Sequence, residues 1–145
     1  MRIPMKVDYG VRALIELAQQ RGAGPVQTIE IAERQNIPGA YLEQLLPTLH
    51  KFGFVVSRRG PQGGHVLAQD PRDITLGMIV NGLEGTAAPL ECFDEPRQCN
   101  LSDICAQRDV WKSVEEAIQT VLNSTSIADL VNRQNQLRLQ GSRRA

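Results

Sequence analysis

Val7, Val11, Leu14, Ile15 and Ala18 recur at the spacing of one face of an α-helix, and Gly22 and Gly24-Pro25 mark where that helix must end. A shorter helix is predicted over residues 28–35, with Ile31 and Ala32 inward and Glu30, Glu33 and Arg34 outward. Asn36-Ile37-Pro38-Gly39 stops it, and Pro38 suits the first turn of a third helix running to about Lys51. Tyr41, Leu42, Leu45, Leu46 and Leu49 form the apolar face of that helix, and Pro47 interrupts its ideal pattern. Two helices joined by a four-residue turn make a helix-turn-helix.

Two short β-rich runs follow, Phe54 to Arg58 and His65 to Leu67. The intervening Arg59-Gly60-Pro61-Gln62-Gly63-Gly64 can only be a turn, so the pair reads as a β-hairpin, the wing of a winged helix. Leu76, Ile79, Val80 and Leu83 predict another helix; residues 85–103 show no period and read as a loop. A longer helix is predicted from about Asp103, with Val110, Val114, Ala117, Ile118 and Val121 in register. Ser126-Ile127-Ala128-Asp129 has the form of a capping box for a short last helix holding Leu130 and Val131. From Gln134 the chain is polar and is expected to fray. The fold class is mainly α: a winged helix-turn-helix over 1–83 with a two-stranded wing, a cysteine-bearing loop over 84–105, two helices over 106–133, and a polar tail over 134–145.

Composition changes the picture in one respect. The 145 residues hold 16 Lys and Arg against 16 Asp and Glu, a total that argues against bulk attraction to nucleic acid. Yet residues 1–72 carry nine basic against six acidic side chains, and residues 73–145 carry seven against ten. The front half is basic and the back half acidic. No apolar run approaches the roughly 18–20 residues of a membrane span, and the N-terminus lacks the apolar core of a signal peptide. A cytoplasmic protein without membrane contact is expected.

A helix lying in the major groove reads base edges with exposed polar side chains near its N-terminus. On the third helix these are Tyr41, Glu43 and Gln44. At the wing, Arg58 and Arg59 suit phosphates or a minor groove, and Gly60, Pro61, Gln62, Gly63 and Gly64 permit close approach of backbone to DNA. The plainer alternative is a solvated Arg pair beside ordinary turn residues. Cys92, Cys99 and Cys105 crowd into 14 residues without a CxxC, so they match neither a zinc finger nor a thioredoxin-like motif. Three thiolates on a loop suit soft metals, above all the irons of an iron–sulfur cluster. Zinc, a thiol redox switch and inert thiols remain open. Neither a Ser/His/Asp pattern nor a phosphate-binding glycine loop followed by a helix is present, and no histidine lies near the cysteines, so an enzyme is not expected.

Tyr9, Val11-Arg12-Ala13-Leu14, Ile31-Ala32-Glu33-Arg34-Gln35, Tyr41-Leu42-Glu43-Gln44-Leu45 and Arg59-Gly60-Pro61-Gln62-Gly63-Gly64 closely resemble the Rrf2 family of bacterial winged-helix repressors, with its IscR-, NsrR- and RirA-type members. The likeness runs from Met1 to about Val131. It implies a homodimer joined by the long C-terminal helix, with palindromic promoter DNA as target, and it favours Tyr41, Glu43, Gln44, Arg59 and Gly60 as DNA contacts. His65 stands where the family usually has Tyr. Cluster-sensing members carry three cysteines at nearly this spacing, which implies an iron–sulfur cluster on Cys92, Cys99 and Cys105. In the cluster-assembly regulators a His follows the third cysteine by three residues; here that position is Arg108, which disfavours their 2Fe–2S arrangement. In the nitric-oxide-sensing branch an N-terminal Asp of the other subunit completes a 4Fe–4S site, and Asp8 stands at the matching place. Glu91, Asp94, Asp103, Asp109 or a small thiol are other candidates for the fourth ligand, whereas His50 and His65 lie in the DNA-reading part. The family also includes cluster-free regulators of cysteine metabolism that act through a partner protein.

Overall fold

A computed structural model describes residues 2–85 and 88–144. Seven helices and one two-stranded sheet follow in the order α1 (Met5–Gln19), α2 (Thr28–Gln35), α3 (Gly39–Lys51), β1 (Val55–Arg58), β2 (Gly64–Leu67), α4 (Leu76–Glu84), α5 (Glu91–Asp94), α6 (Ala106–Ser124) and α7 (Ile127–Arg144). The mainly helical winged architecture read from the sequence is present.

α1 is the central element, touching α2, α3, α4, β2 and α7. Its Ala13 and Leu14 are fully buried with Ile31 of α2, Leu42 and Leu49 of α3, Ile79 of α4 and Ile127 of α7. The helix-turn-helix is set by local chemistry at both ends of α2. Gln27 and Glu30 form a reciprocal capping box at its start. At its end Asn36 takes the left-handed conformation (φ 53°), which Asn tolerates better than most side chains. Ile37 then donates its N–H back to the Ala32 carbonyl. Pro38 is the N-cap of α3 rather than part of its first turn, and Pro47 is accommodated inside an unbroken helix. One carboxylate is buried among these elements. Glu16 accepts hydrogen bonds from Arg34 at 3.1 Å and from Gln35 at 2.8 Å, locking α1 to α2. Glu16→Ala is expected to lower stability by about 1–3 kcal/mol, because Gln35 and Gln20 lose this acceptor and Arg34 keeps only its exposed pair with Glu30; chemical denaturation checks it.

Three expectations shift. The loop over 85–103, of which residues 86 and 87 lie outside the described part, contains one helical turn (α5) and a 3-10 turn at Pro96–Gln98. The long helix begins at Ala106, with Cys105 as its N-cap, instead of at Asp103. The last helix does not stop near Arg133; it continues to Arg144, so the polar tail is helical through most of its length. Ser126 and Asp129 do form the expected capping box, with bonds of 2.9 and 3.1 Å. Ile127 is buried, and Leu130 and Val131 lie against the core. With the start of α7 so anchored, helix-tolerant residues such as Gln134, Gln136, Leu137 and Arg138 extend it at little cost, since propagation adds one bond per residue.

Candidate nucleic-acid interface and cysteine loop

The amphipathic pattern of α3 sends Leu42, Leu45, Leu46 and Leu49 into the core and leaves Gly39, Ala40, Glu43, Gln44 and Pro47 exposed on the opposite face. Glu43 and Gln44 therefore sit where base readers are expected. Tyr41 differs. It is half-buried and packs edge-on against Tyr9, with ring centroids 5.3 Å apart and an interplanar angle of 72°. Arg12 in turn lies over the Tyr9 ring at 5.4 Å. Tyr41 thus fastens α3 to α1, a role sufficient to explain its ring without any base contact.

The wing is antiparallel, with Ser57 opposite His65 and Arg58 opposite Gly64. Arg58, Arg59, Gly60, Pro61 and Gln62 at its tip are exposed, and among the described residues neither arginine has an acidic partner. Its glycines have reasons internal to the fold. Gly60 has φ +107°, and a Cβ on Gly63 would strike the Arg58 carbonyl. Gly64 lies against Val26, whose N–H and C=O exchange hydrogen bonds of 2.9 and 2.8 Å with His65. Val26, in the segment after α1, pins the wing to the body through a single antiparallel β-bridge.

A polar cluster that sequence reasoning missed joins the wing to the helix-turn-helix. His50 Nε2 lies 3.3 Å from His65 Nδ1, and Ser57 Oγ is 2.8 Å from the former and 3.2 Å from the latter. His65 Nε2 meets Thr28 Oγ1 of α2 at 3.0 Å. Burial, and then the neighbouring His50, hold His65 below the ordinary imidazole range. The hairpin register alone places Ser57 beside His65; His50 joins them only through the packing of α3 on β1.

Cys92, on α5, Cys99, after the 3-10 turn, and Cys105, the cap of α6, are all free and half-buried. Among the described residues no three His, Cys, Asp or Glu side chains converge closely enough to hold one ion. A cation is built into the loop. Arg108 donates from Nη2 to the Cys92 carbonyl at 3.3 Å and lies 5.6 Å over the Phe93 ring, while its buried Nε has no partner. A cleft of about 680 Å³ connects Phe93 of the loop with Pro4 and Val7 at the start of α1 and with Ile118 and Leu122 of α6. Among the described residues Asp8 forms no ligand group with the cysteines of its own chain. Both of its oxygens accept from Arg12 at 3.0 Å, and Arg12 also reaches the Gln35 carbonyl at the end of α2.

Comparison with known proteins places these features. Residues 3–133 match a family model described as Rrf2, an iron-dependent transcriptional regulator. The chain is 38% identical over 132 residues to the HTH-type transcriptional regulator CymR of Bacillus subtilis, covering 91% of each. It is 36% identical to the regulator IscR of Serratia proteamaculans, covering 94% of this chain and 83% of the other. Among solved structures, that of CymR, titled the global cysteine regulator of B. subtilis, superposes with a TM-score of 0.79 at 37% identity, over 92% of this chain and 98% of the other. IscR of T. potens superposes with a TM-score of 0.78 at 40% identity, over 92% and 88%.

Proposed function

The chain belongs to the Rrf2 family of transcriptional regulators, and from that premise we propose a homodimeric repressor of palindromic promoter DNA whose operator affinity is set by an iron–sulfur cluster. That it is a DNA-binding regulator and not an enzyme follows from the family itself. Among the described residues no helix is long and apolar enough to cross a membrane, and a regulator of promoter DNA works in the cytoplasm.

Recognition divides between two kinds of contact. Glu43 can accept from a cytosine amino group and Gln44 can pair with both adenine edge atoms in the major groove. Arg58 and Arg59 neutralise phosphates beside it, with the turn of Gly60, Pro61, Gln62, Gly63 and Gly64 setting their reach. Gln44→Ala is expected to cost about 1–3 kcal/mol at particular base pairs, whereas Arg59→Ala weakens binding to all sequences and lowers the salt slope by about one. Gel-shift titrations on base-substituted operators at several salt concentrations separate the two. A uniform loss for Gln44→Ala would remove it as a base reader.

The cluster reading is carried by three free, half-buried thiols on one 14-residue segment, a soft donor set that suits iron. Cys92, Cys99 and Cys105 would hold the group, with the partner subunit's Asp8 as fourth ligand. A 4Fe–4S form is favoured over 2Fe–2S, since Arg108 occupies the place of the histidine ligand in the cluster-assembly regulators. When bound, the cluster supplies irons sensitive to nitric oxide, oxygen or iron supply. This chain's own residues connect the loop to the reader: Phe93 shares a cleft with Pro4 and Val7 of the α1 end, and Asp8 must exchange Arg12 to serve as a ligand. Such exchange frees the Arg12 side chain from Asp8, and with it the bridge that Arg12 now makes between Asp8 and the Gln35 carbonyl at the end of α2. A ligand shifts an equilibrium only through its differential affinity for two states, and the Asp8–Arg12 pair is an element whose making and breaking distinguishes them.

Anaerobic purification with absorption spectroscopy and iron and sulfide counting tests the reading, with Asp8→Ala as the comparison. A coloured, iron-loaded chain whose spectrum changes in Asp8→Ala supports it. A colourless chain without iron after reconstitution leaves the second reading, a cluster-free regulator acting through a partner protein or a thiol switch. The lack of a closed ligand set among the described residues favours that alternative, whereas the 38% identity to CymR is matched by 36% and 40% to the two IscR proteins.

A further inference from the structure

His50 and His65 are the two histidines of the chain, and the fold sets them side by side on different elements. Their facing nitrogens and the Ser57 hydroxyl form a triangle with sides of 2.8, 3.2 and 3.3 Å. Metal–nitrogen bonds of about 2.0–2.1 Å in a tetrahedron separate neighbouring donors by about 3.3 Å, so the two imidazole nitrogens already stand at the spacing of two ligands on one ion. When His65 Nε2–H donates to Thr28, Nδ1 presents its lone pair to the triangle, the orientation that an outer hydrogen bond gives a ligating imidazole. We propose that His50, His65 and Ser57 form a site for a divalent transition metal at the junction of the recognition helix and the wing, with solvent water as the fourth ligand.

The chemistry narrows the class of ion. The two imidazoles are borderline donors that suit zinc, nickel or copper better than magnesium or calcium, the Ser57 hydroxyl adds one neutral oxygen, and among the described residues no carboxylate completes a hard site here. Both rings are half-buried and Ser57 is exposed, which leaves an entry path and room for water. Occupancy ties α3 to both strands of the wing through one atom. It therefore stiffens the two parts of the DNA reader relative to one another, independently of the cysteine loop.

The chain's histidine content makes the test direct. In the full chain labelled with nitrogen-15 at histidine, zinc chloride is titrated while the ring nitrogens of His50 and His65 are followed by NMR. The cysteines can take zinc as well, but the two rings report only their own surroundings. The expected result is that both rings shift together along one saturation curve, and that in His50→Gln the His65 ring needs at least about tenfold more zinc to respond. Rings that stay unperturbed at saturating zinc, or that respond separately, overturn the site and leave a hydrogen-bonded seam between α3 and the wing. Either outcome is independent of whether the cysteines hold iron.

Discussion

Gly64→Ala is expected to separate the wing from the body of the reader and to cost more operator affinity than any single side chain on the wing. Gly64 has φ +153°, and a Cβ built on it lies 2.6 Å from the Val26 carbonyl oxygen, 2.7 Å from its carbon and 3.0 Å from its nitrogen. All three are backbone atoms of a segment that cannot swing aside. Val26 is itself buried and exchanges two hydrogen bonds with His65, the residue after Gly64. The added methyl must therefore break that bridge or push β2 outward, and Arg58, directly opposite Gly64, moves with it. Strain and lost hydrogen bonds together amount to about 2–4 kcal/mol. Denaturation should show a lowered midpoint with helix content unchanged at room temperature, because the helical core does not use this contact. Gel shifts should show operator affinity reduced by at least about tenfold. A Gly64→Ala chain with native midpoint and native affinity would mean that β2 does not need this approach to Val26.

The same residues show how far the sequence can be read. α1 and α2 are legible to within a few positions because each buries one periodic stripe, and the wing is legible because Gly-Pro-Gln-Gly-Gly permits nothing but a turn. The reason for Gly64 is not, since it is a clash with Val26, a residue 38 positions earlier that carries no strand signal of its own. The end of α7 escapes the sequence for the opposite reason. Residues after Gln134 have no apolar stripe, so periodicity is silent, while the anchored first turn makes extension favourable. At the candidate site, amphipathicity alone puts Glu43 and Gln44 on the exposed face of α3. Tyr41 reads both as a member of the apolar face and as a candidate reader, and only the neighbouring Tyr9 shows what its ring packs against. Asp8 is suggested by the resemblance to the nitric-oxide-sensing branch; its bidentate pair with Arg12, one helical turn on, is available from the spacing. The histidine cluster needs the tertiary arrangement of α3 on β1.

Val114→Glu is expected to convert the protein from dimer to monomer without disturbing its fold. α6 is 19 residues long, about 28 Å at the helical rise, and none of its residues is buried. Val110, Val114 and Val121 lie at i, i+4 and i+11 and are 62%, 38% and 62% exposed, with Trp111 beside them at 46%. Ile118 and Leu122 turn toward the cleft against α4 and the N-terminal segment, so the valine stripe is not the face by which α6 holds its own chain. A stripe of this length facing water is costly in a monomer, and pairing it with its copy buries large apolar side chains at about 25 cal/mol per Å². A two-fold contact brings the introduced carboxylate of each copy into one apolar interface, where desolvating two like charges outweighs the gain. Sedimentation should give a dimer for the unaltered chain and a monomer for Val114→Glu at micromolar concentration, with identical helix content. Thr120→Glu, which adds the same charge on the exposed side away from the stripe, should remain dimeric. On DNA the monomer engages one half-site at a time, and losing the linked second contact should weaken binding to a palindrome by about a hundredfold or more. A Val114→Glu chain that still sediments as a dimer would place the contact elsewhere, and α6 would then need another partner to explain why a helix with so regular an apolar stripe buries none of it.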